Sequence, residues 1–181
     1  MKQFFSRRSV AILLAIFVVL STVLLQTRFR FGKRIDAVTE QFYSGSDSVA
    51  SELGRLTDAS EILAGLAHLY DLGEADDARN LIASMRELLR LESDDVAAIH
   101  VLYKDLLSET FTLESLLNRQ ELSDTDSALL FAAQHDAAQA KAAIDASDYH
   151  DTVRAFLRRY DHFPTTSLAA IVGLKMPQVF S

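Results

Sequence analysis

The hydrophobic pattern changes period along this chain, and each change marks a new element. The first pattern has no period at all. Val10 to Leu25 runs without a charge, a proline or a glycine. Ser9 to Gln26 makes about 27 Å of helix, close to the ~30 Å hydrocarbon core of a bilayer. Thr27 and Phe29 extend it by a turn, because Arg28 can snorkel to the headgroups. A backbone in lipid must satisfy its own hydrogen bonds, so the segment is expected to be a helix. Lys2, Arg7 and Arg8 could also form the basic start of a signal peptide. The run is long for that role, and Leu24-Leu25-Gln26-Thr27 offers no small-residue cleavage site, so a retained anchor is expected.

Beyond the anchor a helical period sets in. Phe31, Ile35, Val38 and Phe42 share one face of a helix that continues out of the membrane. Ser44-Gly45-Ser46-Asp47 reads as a turn, with Asp47 or Ser48 as the next N-cap. A second helix is expected over Ser48 to Leu72. Ile62, Leu66 and Leu69 form its apolar stripe, broadened by Leu63 and Tyr70. Asp58-Ala59-Ser60-Glu61 resembles a capping box, which places a break or kink near Thr57, and Gly73 suits the C′ position. Ala75 to Leu91 follows, with Ala78, Ile82, Met85 and Leu89 inward. Asp76 and Asp77 at its start and Arg86 and Arg90 at its end complement the helix dipole.

The most regular pattern is Val96, Ile99, Tyr103, Leu106, Thr110, Leu113 and Leu117. Its alternating steps of three and four predict a helix over Asp94 to Asn118 with Ser93 as N-cap and a possible interruption at Ser108-Glu109-Thr110. Ser123 to Asp126 opens the last long helix, expected to reach Tyr160. Its early seam is Leu130, Ala133, Ala137, Ala140 and Ile144. Its late seam is Tyr149, Val153, Phe156 and Tyr160, offset as by a stutter. The alanine-rich stretch from Ala132 to Ala146 allows close helix approach and suits a central helix.

The expected fold is all-α: an N-terminal transmembrane helix continuing into an antiparallel, long-helix bundle of four-helix type. The segments are a basic tail (1–8), the membrane helix (9–27), the bundle (28–163) and a return segment (164–181). The extramembrane part of the anchor helix would be the first helix of the bundle.

Composition sharpens this picture. Of 181 residues only 6 are glycine and 2 are proline, which favours long helices. With no cysteine, disulfides, thiolate metal sites, cysteine nucleophiles and lipoprotein anchors are excluded. All 25 acidic residues lie at or after Asp36, whereas 7 of the 18 basic ones precede it, so the remainder carries 11 minus 25, or −14. Nucleic acid is therefore not an expected partner. The anchor is flanked by Lys2, Arg7 and Arg8 on one side and by Arg28, Arg30, Lys33 and Arg34 on the other. Both flanks suit anionic headgroups, so the lipid bilayer is an expected partner. Three basic residues against four leave the orientation open.

The C-terminal end has its own signature: Tyr149, Val153, Phe156, Phe163-Pro164, Ala170, Gly173 and Phe180. Pro164 stops the long helix, Thr165 or Thr166 starts a short one, Gly173 ends it, and Phe180 can fold back. In spacing and in its place at the chain's end this pattern resembles the LemA family, over roughly Ser123 to Phe180. The sequence departs from that family where its Tyr-Asn pairs read Tyr149-His150 and Phe156-Leu157, at Gln139 and Ala146, and at Gly173-Leu174. The motif typical of the family's second helix is absent from Ser48 to Leu63. The resemblance implies a divergent member: a single-pass protein of the bacterial inner membrane with a helical bundle and no established catalytic role. It also implies an N-terminus outside and a bundle in the cytoplasm.

Candidate chemistry is sparse. None of His68, His100, His135, His150 and His162 has another histidine at i+3 or i+4, so no metal site is expected. Asp145, Asp148 and Asp151 form an acidic ridge that reads as a solvated face. Arg154 falls at i+3 of Asp151 and reads as its ion-pair partner, while Arg158 and Arg159 are basic in an acidic domain. There is no glycine-rich phosphate loop and no serine-nucleophile motif. No catalytic residue and no cofactor is expected. The expected role is structural or in protein interaction at the membrane, with a membrane or envelope protein as partner and the oligomeric state open. The alternative is a membrane-anchored tetratricopeptide-like scaffold or assembly or chaperone factor, suggested by Leu63 to Ala78 and by the recurrence of Leu69-Tyr70 as Leu102-Tyr103. Helix length separates the two readings: well beyond twenty residues for a bundle, about a dozen to fifteen for tetratricopeptide pairs.

Overall fold

The structure is a computed structural model describing the backbone at 7–162 and 164–180, and side chains from Ala11 onward. Lys2 and Phe163 lie outside the described residues, as do the side chains of Arg7 and Arg8. Among the described residues the chain forms seven helices and no strand: α1 Arg7–Tyr43, α2 Val49–Leu69, α3 Ala75–Arg90, α4 Val96–Leu117, α5 Asp124–Asp145, α6 Tyr149–Tyr160 and α7 Thr165–Ile171.

α1 is one unbroken helix of 37 residues with two characters. Its first half is long and apolar enough to cross a membrane, with a mean hydropathy of 2.1 over its most apolar window. Ile12, Phe17, Val19 and Leu25 there stay more than half exposed. From Phe31 onward only one stripe, Phe31, Ile35, Val38 and Phe42, is buried.

α2 to α5 pack as an antiparallel bundle. α2 lies at its centre, packing most extensively on α5, then on α3 and α4, while α4 and α5 meet only briefly. Arg55 reaches Gln139, and Tyr70 reaches Asp126, which fixes α2 and α5 as antiparallel. The long helices measure 21, 22 and 22 residues and α3 measures 16. The three exceed a tetratricopeptide pair, but only α1 goes well beyond twenty. The four packed helices are α2 to α5. The outer half of α1 is not the first helix of that set; it packs against α6, α7 and the edge of α2.

The expected seams of α4 and α5 are buried at every named position. Elsewhere local chemistry redraws the expectation. α2 is unbroken through Thr57. The Thr57 and Ser60 hydroxyls donate back to the carbonyls of Leu53 and Leu56 (2.6 and 2.8 Å), so these residues sit inside the helix rather than at a cap. Its inner face is Leu53, Leu56, Ser60, Leu63 and Ala67, whereas Ile62 and Leu69 are exposed. Ser60 meets Thr110 of α4 at 2.8 Å, and Thr110 also donates to Leu106, which carries α4 through the expected interruption.

The caps shift as well. Ser48 caps α2 as expected, accepting from the Ser51 amide. Asp95, not Ser93, caps α4. Asp71, not Gly73, takes the left-handed C′ position after α2 (φ 57°), with the Leu72 amide donating to the Ala67 carbonyl. The last long helix is broken. The Ser147 hydroxyl accepts from the Tyr149 amide, and the helix stops at Asp145 and restarts at Tyr149. The offset between the two seams is thus a break rather than a stutter, and it frees α6 to cross onto α1.

Candidate functional site at the anchor end of the bundle

α6 runs back along the outer half of α1. Tyr149 meets Phe42 (ring centroids 5.2 Å apart), and Phe156 and Tyr160 meet Phe31 (5.7 and 5.2 Å). Arg34 donates to the Tyr160 hydroxyl and its guanidinium lies over the same ring. α7 follows, closed by Gly173 in the left-handed region (φ 71°), with the Leu174 amide donating to Ala169. Leu174 then rests beside Gly32 of α1. The last residues climb back along α1, tied by Lys175 to Asp94 (2.8 Å) and by the Gln178 side chain to the Ala97 amide (3.0 Å). Phe180 ends this path only 2% exposed, against Phe42, His100, Tyr103 and His150.

Two sets of residues singled out from the sequence therefore meet. Phe156 and Val153 are buried, the latter completely. Tyr149 is buried and donates from its hydroxyl to the Gln178 carbonyl (3.0 Å). Pro164 and Gly173 bracket α7. Arg34 joins this junction, while Arg28, Arg30 and Lys33 lie just below it on α1 without an ion pair among the described residues. Pro164 is exposed, so its part is to turn the chain.

Behind Phe180 lies a cavity of about 410 Å³, walled by His100 and Tyr103 of α4, the α5–α6 break and His150. Asp145, Asp148, Asp151 and Arg154 form its rim. Four buried polar atoms face no protein partner: both ring nitrogens of His100, the Tyr103 hydroxyl and Nδ1 of His150. Burial, then the charge of Lys104 and the neighbouring His150, pulls the His100 pKa below its ordinary value. Burial, with Asp145 adding to it, pushes Tyr103 up to about 12. Burial also raises Tyr149 to about 12, and it does the same to Tyr43 with help from Glu92 and Asp94. The cavity is thus walled by the buried His100 imidazole and the Tyr103 phenol and rimmed by carboxylates. It can hydrogen-bond small polar molecules or water.

Sequence reasoning did not bring His100 and His150 together. They are separated by two loops and meet only because Phe180 lies between them, and no local spacing could signal that. Asp145, Asp148 and Asp151 are all exposed, as a solvated face requires, and they also edge the cavity. Arg154 lies 3.9 Å from Asp151, a loose exposed pair of little energetic weight. Among the described residues no group of three His, Asp or Glu side chains converges as a metal cluster. No known protein family, no curated protein and no solved structure matches the chain.

Proposed function

We propose that the chain is a single-pass membrane protein whose bundle is held at the membrane surface in a non-catalytic, structural or protein-interaction role. One observation carries the reading: α1 passes without a break from an exposed apolar half to a half packed into the domain. Apolar surface of that extent is far larger than monomeric soluble proteins leave in water. Rigid continuity also means that the membrane fixes the position of the domain. The resemblance to the LemA family fits this role, because Tyr149, Val153, Phe156, Gly173 and Phe180 all serve to close the domain onto the anchor helix.

The test is fractionation with alkaline carbonate, together with sequencing of the mature N-terminus. The chain should stay in the membrane pellet with Val10 to Leu25 intact. Release into the supernatant, or cleavage after the apolar run, would overturn the reading. A labelling enzyme fused at the C-terminus and active in one compartment at a time then gives the orientation. Labelled cytoplasmic neighbours fit a bacterial inner-membrane protein with its bundle inside. Labelled envelope proteins would place the bundle on the other face and overturn the orientation that the family resemblance implies.

A further inference from the structure

The α1–α6 packing fixes how far the domain stands from the bilayer. If the hydrocarbon core ends near Thr27, Phe31 lies about 6 Å further along the helix axis. The headgroup layer on each side is roughly 5–7 Å thick. Phe31 therefore stands at headgroup level, and so do the side chains packed against it, Phe156 and Tyr160. Gly32 is one residue higher and abuts Leu174, which brings the end of α7 to the same level. α6 descends to the membrane and ends there, its foot at Tyr160, and the tail beyond α7 climbs away again.

The residues at this foot differ from the rest of the acidic domain. Arg158 and Arg159 are exposed and make no ion pair among the described residues. Arg158 donates only to the Arg154 carbonyl, and Arg159 lies 5.5 Å from the Tyr160 ring centroid. Arg28, Arg30 and Lys33 are exposed on α1 around the level of Phe31. Asp161 is the acidic residue among them. Ile171, at the end of α7, is 68% exposed. Tyrosine and arginine at headgroup depth, with an exposed aliphatic side chain, are what an interfacial contact requires.

We propose that this foot is a binding surface for anionic lipid: Arg158 and Arg159, with Arg28 and Arg30 of α1, hold headgroup phosphates while Ile171 enters the interface. The domain then rests on the membrane by a basic face, although the chain from Asp36 onward carries −14 overall. The partner is lipid rather than a free anion because the anchor already places these side chains among headgroups. This inference rests on the membrane reading above.

The experiment uses the full chain in nanodiscs, so failure to incorporate would count against the anchor and not against the foot. The chain has no tryptophan, so Ile171→Trp is a unique fluorescent reporter. In discs containing phosphatidylglycerol its emission should shift to the blue and be quenched by brominated acyl chains. In pure phosphatidylcholine both effects should weaken. Arg158→Gln with Arg159→Gln should lower the docked fraction, by about fivefold per arginine in the docked-to-free ratio. Both arginines are exposed, and unchanged circular dichroism would show that the double variant folds. Water-like, unquenched emission in both lipids would overturn the proposal. Equal quenching with and without the two arginines would do the same.

Discussion

The two ends of the bundle are both closed by tyrosines, but by opposite means. At the far end Tyr70 donates to Asp126 (2.7 Å) and accepts from the Ser123 amide, so its hydroxyl is fully used at the surface. The Ser123 hydroxyl also donates to Asp126, and the helices that meet there are joined by short turns. At the anchor end closure comes from far along the chain. Phe180 reaches Phe42, His100, Tyr103 and His150, and the Tyr103 hydroxyl is buried without a protein partner. The far end is closed by satisfied polar contacts between the end of α2 and the start of α5. The anchor end trades satisfied hydrogen bonds for apolar contact that only the last residues supply.

The largest expected effect follows from that dependence. Phe180→Ala removes a buried ring shared by α1, α4 and α6, and should cost about 3–5 kcal/mol, lowering Tm by roughly 10 °C. Tyr70→Phe at the far end should cost only about 1–2 kcal/mol, because it loses two hydrogen bonds at or near the surface, to Asp126 and from Ser123. Thermal unfolding in matched nanodiscs compares the two. Equal losses would mean that the ends are not energetically distinct.

Tyr103→Phe sharpens the same comparison with one hydroxyl. Deleting an unpartnered buried hydroxyl should be neutral or stabilise by up to about 1 kcal/mol. A loss as large as that of Tyr70→Phe would show that the cavity holds bound water or a ligand on that hydroxyl.

Acid should separate the ends by pH window. The His100 pKa lies below its ordinary 6.5, mainly through burial and also through Lys104 and His150. The unfolded chain therefore takes up the proton first, and this contribution is present above 6.5 and lost as pH falls through the lower folded value. Asp145, Asp148, Asp151 and Arg154 edge the same cavity. Asp126 is lowered from 3.8 by its bonds to Tyr70 and Ser123. Its contribution is present above 3.8 and lost only in stronger acid. Hydrogen exchange at about pH 5 should thus loosen the residues around His100 and Phe180 while 123–127 stays protected. His100→Phe should remove the acid response of the anchor end.

What was legible in the sequence follows the same division. The α4 and α5 seams and the Phe31–Phe42 stripe rest on the helical repeat alone, and each named position is buried. Positions where a side chain competes for the backbone were less legible. Ser60 and Thr57 have the composition of a cap but bond back into their own helix. Ser147 lies in a helical pattern but ends the helix. The expected α2 stripe holds at Leu63 and Leu66, which are buried, and fails at Ile62 and Leu69, because the alanines and Ser60 carry burial that hydrophobicity alone assigns to those two. The His100–His150 cavity had no local signal, since it is built by a tail contact 30 residues from one histidine and 80 from the other.

The smallest effect probes the two helix ends that take left-handed backbone without glycine. Asp71 closes α2 at the far end (φ 57°), and Glu92 closes α3 at the anchor end (φ 45°). Both make the same pair of bonds. The Leu72 and Ser93 amides donate to Ala67 and Leu88, and the Asp71 and Glu92 amides donate to His68 and Leu89. Aspartate enters this region more readily than glutamate, because its short side chain can bond locally. Glycine removes the steric cost but adds freedom to the unfolded chain. Glu92→Gly should therefore stabilise by about 0.5–1 kcal/mol, and Asp71→Gly by only a few tenths. Glu92 also stands beside Tyr43, where its charge helps to raise the phenol to about 12. Glu92→Gly should lower the Tyr43 pKa, and Asp71→Gly should leave it unchanged. Ultraviolet titration of the tyrosines checks that pair of outcomes, and chemical denaturation checks the order of the two gains. A larger gain at Asp71 would show that left-handed backbone strain is not what separates the two positions.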